Sequence, residues 1–518
     1  MREKLLRGAD LIVFWLSALM MGFLTVISFL GTAYFTAESS FAERPEYRMD
    51  FVPAHIVFFA LIFFLIVYLS RKGVFDRISP KIFCAAVSVF VTVLSILWIE
   101  VSHTYPEADQ KAVSWVAWLL SQDNFLFFEH GKYMQIYPNQ LGLAAILEAL
   151  YRLFGQENWK LFMYLTAIAN GVAVWLLYLI TDRLFHSKKA DILVLFAAAG
   201  CVQIVLYSTF LYGMMLGLAF ALAAFYFLLI FFEKEKLRYG ILSGVLIGIS
   251  VLIKNNYSIF LVAMVILTLY KGVKDKSGKK VFGAFFLILL TGAFSAGLTS
   301  FYEYRSGMEI GNGMPKSLWI AMGMQEGERA EGWYNEFNFN TFTETDCDEK
   351  ESDAIAKESI RESLERFRKE PQYAMKFYFK KTMSQWAEPT CEALWVNQFH
   401  SGDFSKIVQS IYDGKLYIVL HEYMNLFQTF VYSLVFFYLW NRRKTGTMEA
   451  LFFPLVILGG FLFHTLWEAK SQYIFPYFVC MLPVAAMGLS EAAQSICRKT
   501  ENRKKFQMVQ EEKGTEDL

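Results

Sequence analysis

Residues 102–155 read SHTYPEADQKAVSWVAWLLSQDNFLFFEHGKYMQIYPNQLGLAAILEALYRLFG, the longest interruption in the hydrophobic first third of the chain. Thr104-Tyr105-Pro106-Glu107 has the spacing of a capping box with a proline in the first turn, which predicts a helix start there. Ala112, Val113, Val116, Ala117, Leu119 and Leu120 then recur at helical spacing, while Gln110, Lys111, Ser114 and Ser121 fall on the other face. An amphipathic helix of this kind between two membrane spans is expected to lie along the membrane surface. Asp109 falls in its first turn, with Glu107 in the capping role. Further on, Tyr137-Pro138-Asn139-Gln140 leads into a second, more apolar helix ending at Leu153-Phe154-Gly155.

The surroundings of this segment are those of a membrane protein. Of 518 residues, 55% are hydrophobic and only 19% charged, against about 25% charged in a soluble domain. Mean hydropathy is +0.35. Net charge is +1, which implies no nucleic-acid partner. Stretches long enough to span fall at roughly 9–35, 52–70, 82–102, 160–182, 190–208, 212–232, 239–253, 257–271, 281–302, 417–440, 449–466 and 472–490, about twelve in all. The first is too long for a signal peptide's apolar region and lacks a cleavage site, so it reads as an uncleaved helix. The 239–271 pair is one run interrupted only by Lys254-Asn255-Asn256.

Charge distribution orients these spans. RKGVFDR, TDRLFHSKK, EKEKLR, KGVKDKSGKK, NRRK and CRKTENRKK fall on one side, with Arg2, Lys4 and Arg7. The positive-inside rule makes that side cytoplasmic, with both termini. ESSFAERPEYRMD, the 102–158 segment, the turns near Tyr212 and Lys254, the 303–416 segment and Trp467-Glu468-Ala469-Lys470 are then outside. The expected organisation is a membrane module over 1–302, an extracytoplasmic lobe over 303–416, further membrane helices over 417–495, and a charged, disordered tail over 496–518.

The 303–416 lobe opens with Gly307, Gly311, Gly313, Gly323, Gly327 and Gly332, interleaved with Trp319, Met322, Met324, Trp333 and Tyr334. This composition suits a mobile cover over a sugar, and equally an irregular surface loop anchored by aromatics. A charged helix is expected over about 351–369. A second helix from Pro371, mixing Tyr373, Phe377, Phe379, Met383 and Trp386 with Lys376, Lys380 and Lys381, is expected to rest on the membrane surface. Of the six cysteines, Cys84, Cys201 and Cys480 lie in apolar spans; Cys347 and Cys391 lie in the lobe and would pair only in an oxidising compartment. No CxxC, HExxH, GxGxxG or GxxxxGK[ST] occurs.

An acidic residue just outside a span, a surface helix, a Tyr-Pro element and a second helix ending Leu-Phe-Gly together resemble the first external loop of the GT-C glycosyltransferases. The branch most similar contains the protein O-mannosyltransferases and the lipid A aminoarabinose transferases. The resemblance covers 82–302, and the last spans loosely. It implies an all-helical polytopic fold and a sugar donor carried on polyprenyl phosphate. It also implies a first-loop carboxylate as catalytic base, which falls on Asp109. Gln110 stands where the family often has a second acid, and Ile136-Tyr137 stands where many members have Glu-Lys.

The chemistry fits a carboxylate. The phosphate departs without a general acid, whereas the acceptor hydroxyl must lose a proton as it attacks the anomeric carbon, and a single displacement inverts that centre. An ordinary reading of Asp109 is an acid favoured by the helix dipole. Lys254, ending an apolar run that contains Gly244 and Gly248, resembles the family's glycine-containing span that ends in lysine. It either snorkels or holds the carrier phosphate. Lys470, in Trp467-Glu468-Ala469-Lys470-Ser471-Gln472-Tyr473 before Pro476, resembles the polar junction before the family's last span and is a second phosphate candidate. Tyr137, Gln140 and Trp319 are candidate sugar or acceptor contacts. Lys111 and Lys132 read as solvated lysines. His464 and Glu468, spaced i, i+4, read as a helix-surface pair rather than a metal site.

The sequence thus predicts an inverting glycosyltransferase of about twelve spans in a bacterial plasma membrane, its active site facing outward. Its partners are a polyprenyl-phosphate sugar donor, membrane lipids and an extracytoplasmic acceptor; no cofactor is called for, and no metal site is assigned. One rival is in another class and one is nearer. A transporter or flippase calls for gapped helices with mid-membrane polar residues and a two-fold repeat, and the sequence has neither. A polymerase or ligase of lipid-linked glycans calls for a catalytic arginine or histidine in the large loop.

Overall fold

A computed structural model describes residues 2–36, 43–155, 158–443, 448 and 450–516, with side chains to residue 497. Residues 38–42 of the ESSFAERPEYRMD loop and Lys444 of NRRK lie outside the described residues. Numbering only helices of seven or more residues, the first half runs α1 (Arg2–Leu30), β1 (Gly31–Tyr34), β2 (Glu46–Met49), α2 (Val52–Arg71), α3 (Pro80–Ser102), α4 (Asp109–Ser121), α5 (Leu141–Phe154), α6 (Trp159–Phe185), α7 (Lys188–Gly200), α8 (Met214–Lys234), α9 (Leu237–Ile253), α10 (Ser258–Asp275) and α11 (Gly278–Ser306). The lobe and the closing helices follow as α12 (Lys316–Met322), α13 (Phe337–Glu344), α14 (Glu349–Lys369), α15 (Pro371–Trp386), α16 (Lys406–Asp413), α17 (Lys415–Asn441), α18 (Phe452–Leu466) and α19 (Phe475–Glu516).

The protein is an all-α polytopic membrane protein. Lipid offers no partner to a backbone N–H or C=O, so an apolar stretch must close its hydrogen bonds within itself, as a helix does. Every stretch expected to span is helical over most of its described residues. By length and composition, eight of the described helices can cross a membrane alone; α7 and the segment Val202–Thr209, meeting at 54°, make a ninth together. α9 and α18 are shorter apolar helices. The count of twelve is therefore reached only with these and with α17, which carries Lys415, His421 and Glu422. The run at 239–271 is two helices, broken at Lys254 by a 3-10 turn over Asn255–Tyr257.

Burial ranks the spans. The most apolar window of α19 is 94% buried, so this helix is the centre of the bundle, whereas those of α2 and α11 are 17% and 22% buried and belong to its rim. α1 stops at Leu30, short of the expected 9–35, because Gly31–Tyr34 pairs antiparallel with Glu46–Met49. α19 continues to Glu516, through the tail for which the sequence predicts disorder.

The lobe differs from its expected form in two respects. Phe377, Met383 and Trp386 of α15 face the protein, and Lys381 is buried with them; only Met375 and Phe379 remain as exposed apolar residues of that helix. Lys381 donates to the carbonyls of Gly323 and Trp467, which replace the water it loses. Cys347 and Cys391 are both free thiols, one beside the lobe's own core of Leu318 and Phe342, the other in the main core. The lobe is tied to the first loop by ions: Arg305 reaches Asp123 at 2.7 Å and Glu148 at 2.9 Å, and Glu148 is also held within α5 by Arg152 at 2.9 Å.

The lysine and arginine bias sets an orientation that labelling can check. Lys111 and Lys357 are exposed, with side chains 59% and 70% accessible. Cysteines placed there are expected to react with an impermeant maleimide in intact cells, over the background of the parent chain. Lys279→Cys, on the opposite end, is expected to react only after lysis. Protection of the first two sites reverses the orientation.

Candidate active site

The helix carrying Asp109 begins later than its sequence predicts. Thr104 does not cap it: Thr104 pairs with His400 as an antiparallel bridge, and the Tyr105 N–H donates to the Phe399 carbonyl at 3.1 Å. Thr104 is thus an isolated bridge against the lobe, flanked by the Tyr105–Phe399 and Ser401–His103 backbone hydrogen bonds, and that long-range pairing overrides local capping. α4 starts at Asp109 itself, after Ala108 in a strained positive-φ conformation, and no side chain caps it. Glu107 instead accepts from Lys111 at 2.9 Å. Asp109 is exposed, at the end of the helix where the dipole favours its charge.

Two residues assigned to the polar face turn inward and fix α4 in place. Gln110 is buried, its side-chain carbonyl accepting from the Leu211 N–H at 2.9 Å. Ser114 is buried against the Tyr151 hydroxyl at 2.7 Å. The Gln110 bond locks the start of α4 to the turn before α8 and so sets Tyr212. The Tyr212 hydroxyl donates to Asp109 Oδ2 at 3.2 Å and accepts from Gln140 Nε2 at 2.6 Å. Burial first, and then the charge of Asp109, push the Tyr212 phenol far above its usual range, so it stays a donor.

Lys254 enters from the break between α9 and α10. Its ammonium lies 3.8 Å from the centre of the Tyr212 ring and 6.0 Å from that of Tyr473. It is 9% exposed and has no ion-pair or hydrogen-bond partner among the described residues. Burial pulls its pKa down to about 7; Asp109 opposes that and Lys470 adds to it. Close backbone contact brings these parts together. A Cβ on Gly142 would lie 2.1 Å from the Leu252 carbonyl oxygen, so only glycine lets α5, which follows Gln140, cross the end of α9. Gly213, at φ +73°, turns the chain after Tyr212 against Ile253.

The Trp467–Tyr473 junction supplies the opposite wall. α18 ends at Leu466, so Glu468 lies beyond the helix and does not form the expected surface pair with His464; both side chains are buried. Tyr473 donates to Glu468 at 3.4 Å. Burial pushes the Glu468 carboxyl up to about 7, against the pull of Lys470. Lys470 lies 2.8 Å from Glu43 and 5.1 Å from the centre of the Trp395 ring. Burial alone would lower its pKa; Glu43 and Glu392 outweigh burial and hold it above the usual lysine range.

The glycine-rich loop of the lobe closes the remaining side. Trp319 stacks on Trp467 at 5.6 Å with planes 6° apart. The Ala469 N–H donates to the Gly332 carbonyl at 2.8 Å, and the Met314 N–H to Ile136 at 3.2 Å. The loop is therefore docked on both the junction and the Tyr-Pro element. Tyr137 packs beside Tyr133 at 5.1 Å, and the charge of Asp109 is felt at Tyr133, Tyr137, Tyr334 and Tyr473 alike. Lys111 and Lys132 are exposed. Among the described residues there is no group of three or more His, Cys, Asp or Glu placed to hold a metal ion.

Asp109, Lys254 and Gln140 meet on Tyr212, whereas Lys470 pairs with Glu43, Tyr137 packs on Tyr133 and Trp319 on Trp467. Sequence reasoning missed Tyr212, Gln110 and Glu43. A Tyr-Gly pair at the outer end of a span was the one available sign of Tyr212; Glu43 carried none. If the α5–α9 crossing positions the site, Gly142→Ala must force the two helices apart. The expected result is a loss of about 1–3 kcal/mol in stability together with a raised donor KM. An unchanged melting temperature and KM would show that the crossing can yield.

Residues 140–295 match the family model described as dolichyl-phosphate-mannose-protein mannosyltransferase. The matched stretch includes Gln140, Tyr212 and Lys254, and ends before the lobe. No curated protein matches the chain. The family match supports a GT-C superfamily membrane glycosyltransferase with a polyprenyl-phosphate sugar as donor.

Proposed function

We propose that this GT-C membrane glycosyltransferase transfers its sugar to an acceptor hydroxyl at the outer face of the membrane by direct, inverting displacement, with Asp109 as general base. One observation carries the reading: a buried ammonium without an anion, Lys254, packs on the same tyrosine that orients the exposed carboxylate of Asp109. The donor phosphate supplies the missing anion. As the bond from the anomeric carbon to the phosphate oxygen breaks, negative charge on the phosphate grows, and a fixed ammonium stabilises that state more than the bound donor. Lys470, one residue past Ala469, adds positive charge on the far side.

The acceptor oxygen attacks the anomeric carbon from the face opposite the phosphate, and its proton passes to Asp109. Tyr212 holds one carboxylate oxygen, leaving Oδ1 for that proton. Tyr137, Gln140 and Trp319 line the approach, the last as part of a stacked indole pair. The scheme needs no metal. The acceptor is a glycan, lipid or protein of the cell envelope, reached from outside a bacterial plasma membrane.

Asp109→Asn keeps the size and the Tyr212 hydrogen bond but loses the base. Turnover with a polyprenyl-phosphate sugar is expected to fall by about 100- to 10,000-fold, with little change in melting temperature. Glu107→Gln is the control, since Glu107 makes only an exposed ion pair with Lys111, worth about 0–1 kcal/mol. Near-normal turnover by Asp109→Asn removes this mechanism.

Acidity offers an independent check. Lys254, with a pKa of about 7, is charged below that pH and neutral above it. Glu468, also near 7, gains negative charge over the same range. Both changes weaken phosphate binding as pH rises, so kcat/KM for donor is expected to fall above pH 7. Saturating donor holds the ammonium protonated, so kcat stays flat there. Lys254→Arg keeps its charge and is expected to show a shallower fall. Equal slopes in the two proteins rule out Lys254.

A further inference from the structure

Glu43, between β1 and β2, is almost fully buried at the Lys470 side of the site. Its two carboxylate oxygens face two different cations: Oε1 lies 2.8 Å from Lys470, and Oε2 ion-pairs with Arg329 of the glycine-rich loop. Its backbone sits at φ +53°, a region a non-glycine residue adopts only when its surroundings hold it there, and its carbonyl accepts from the Ala330 N–H at 3.4 Å. Burial alone would raise its pKa, but Lys470 and Arg329 outweigh burial, so the group is an anion. Lys470 in turn is near enough to Lys254 to depress its protonation. An internal carboxylate therefore sits on one of the two ammonium groups that face the donor phosphate.

We infer that Glu43 is a positioning residue that competes with the donor phosphate: it occupies Lys470 in the empty site and shifts onto Arg329 when phosphate takes Lys470. This rests on the phosphate reading of the site. The arrangement balances charge in both states, since Lys470 always has an anion and Glu43 always has a cation. It also loosens the site's hold on the product, a polyprenyl phosphate with more charge than the donor, because Glu43 stands ready to reclaim Lys470.

The probe is a short-chain polyprenyl phosphate, titrated calorimetrically into the full chain in detergent. Glu43→Gln is expected to bind it about tenfold more tightly, because one unit of negative charge leaves the neighbourhood of the phosphate. Glu43→Asp, which keeps the charge, is expected to bind close to the parent. Arg329→Gln, which leaves Glu43 wholly on Lys470, is expected to bind about tenfold more weakly. In a Lys470→Gln background the effect of Glu43→Gln should vanish. A purely structural role for Glu43 gives the opposite sign, weaker binding with a lower melting temperature. Unchanged or weaker binding by folded Glu43→Gln, or tightening that persists without Lys470, overturns the inference. Should Glu43→Gln not fold, unchanged binding by Arg329→Gln overturns it alone. Lys254→Ala separates the two readings: parent-like binding there defeats the phosphate site itself, whereas lost binding there with no effect at Glu43 defeats only the competition.

Discussion

A buried ammonium with no carboxylate in contact is the constraint on which the outer end of this bundle depends. Moving a lysine head group out of water costs several kcal/mol even after the protein relaxes. The faces of Tyr212 and Tyr473 return about 2 kcal/mol at best. Part of the remainder comes from the field of Asp109 and Glu468, and the proposed function assigns the rest to the donor phosphate. Lys254 is held there because the chain leaves helical geometry at one point only: α9 stops at Ile253, and Lys254 is extended, at φ −151°. Gly142 and Gly213 then let α5 and the Tyr212 turn press on that break.

The spans were legible because lipid imposes one answer on an apolar stretch. Each expected run is helical over most of its described length, and the interruption at Lys254-Asn255-Asn256 is where a helix ends. Local rules failed where a distant partner was available. Thr104 through Glu107 have the letters of a helix start, yet the backbone of 103–105 pairs with 399–401, from the far end of the lobe. Gly31–Tyr34 falls inside the span expected over 9–35 and is a strand, because residues 46–49 come back alongside it. A short apolar run carries no period long enough to separate these outcomes.

The site shows the same division. Asp109, Lys254 and Lys470 stood out as charges at the ends of apolar runs, and they lie at one end of the molecule. Sequence could not rank the two lysines, since each precedes a span and follows an apolar segment. Their contacts rank them: Lys470 is neutralised by Glu43 at 2.8 Å, and Lys254 by nothing in contact. Gln110 and Ser114 read as the wet face of an amphipathic helix. They are dry because α4 is covered on that side too, by the 207–213 turn and by Tyr151 of α5. A helix enclosed on two sides uses its polar residues as fasteners.

That enclosure bears on how charge can change in the site during transfer. The glycine-rich loop is held by the stacked Trp319 and Trp467, by the Gly332–Ala469 hydrogen bond and by Lys381, which clamps the carbonyls of Gly323 and Trp467 from beneath. The root of the lobe is held by Arg305 on Asp123 and Glu148. With these contacts at both ends of the loop, the proposed transfer would draw its stabilisation of the departing phosphate from charges already in position. In the proposed mechanism a preset ammonium opposed by Asp109 across one tyrosine meets that requirement: it would face a modest negative charge in the bound donor and a larger one as the phosphate leaves, and the difference between the two would lower the barrier.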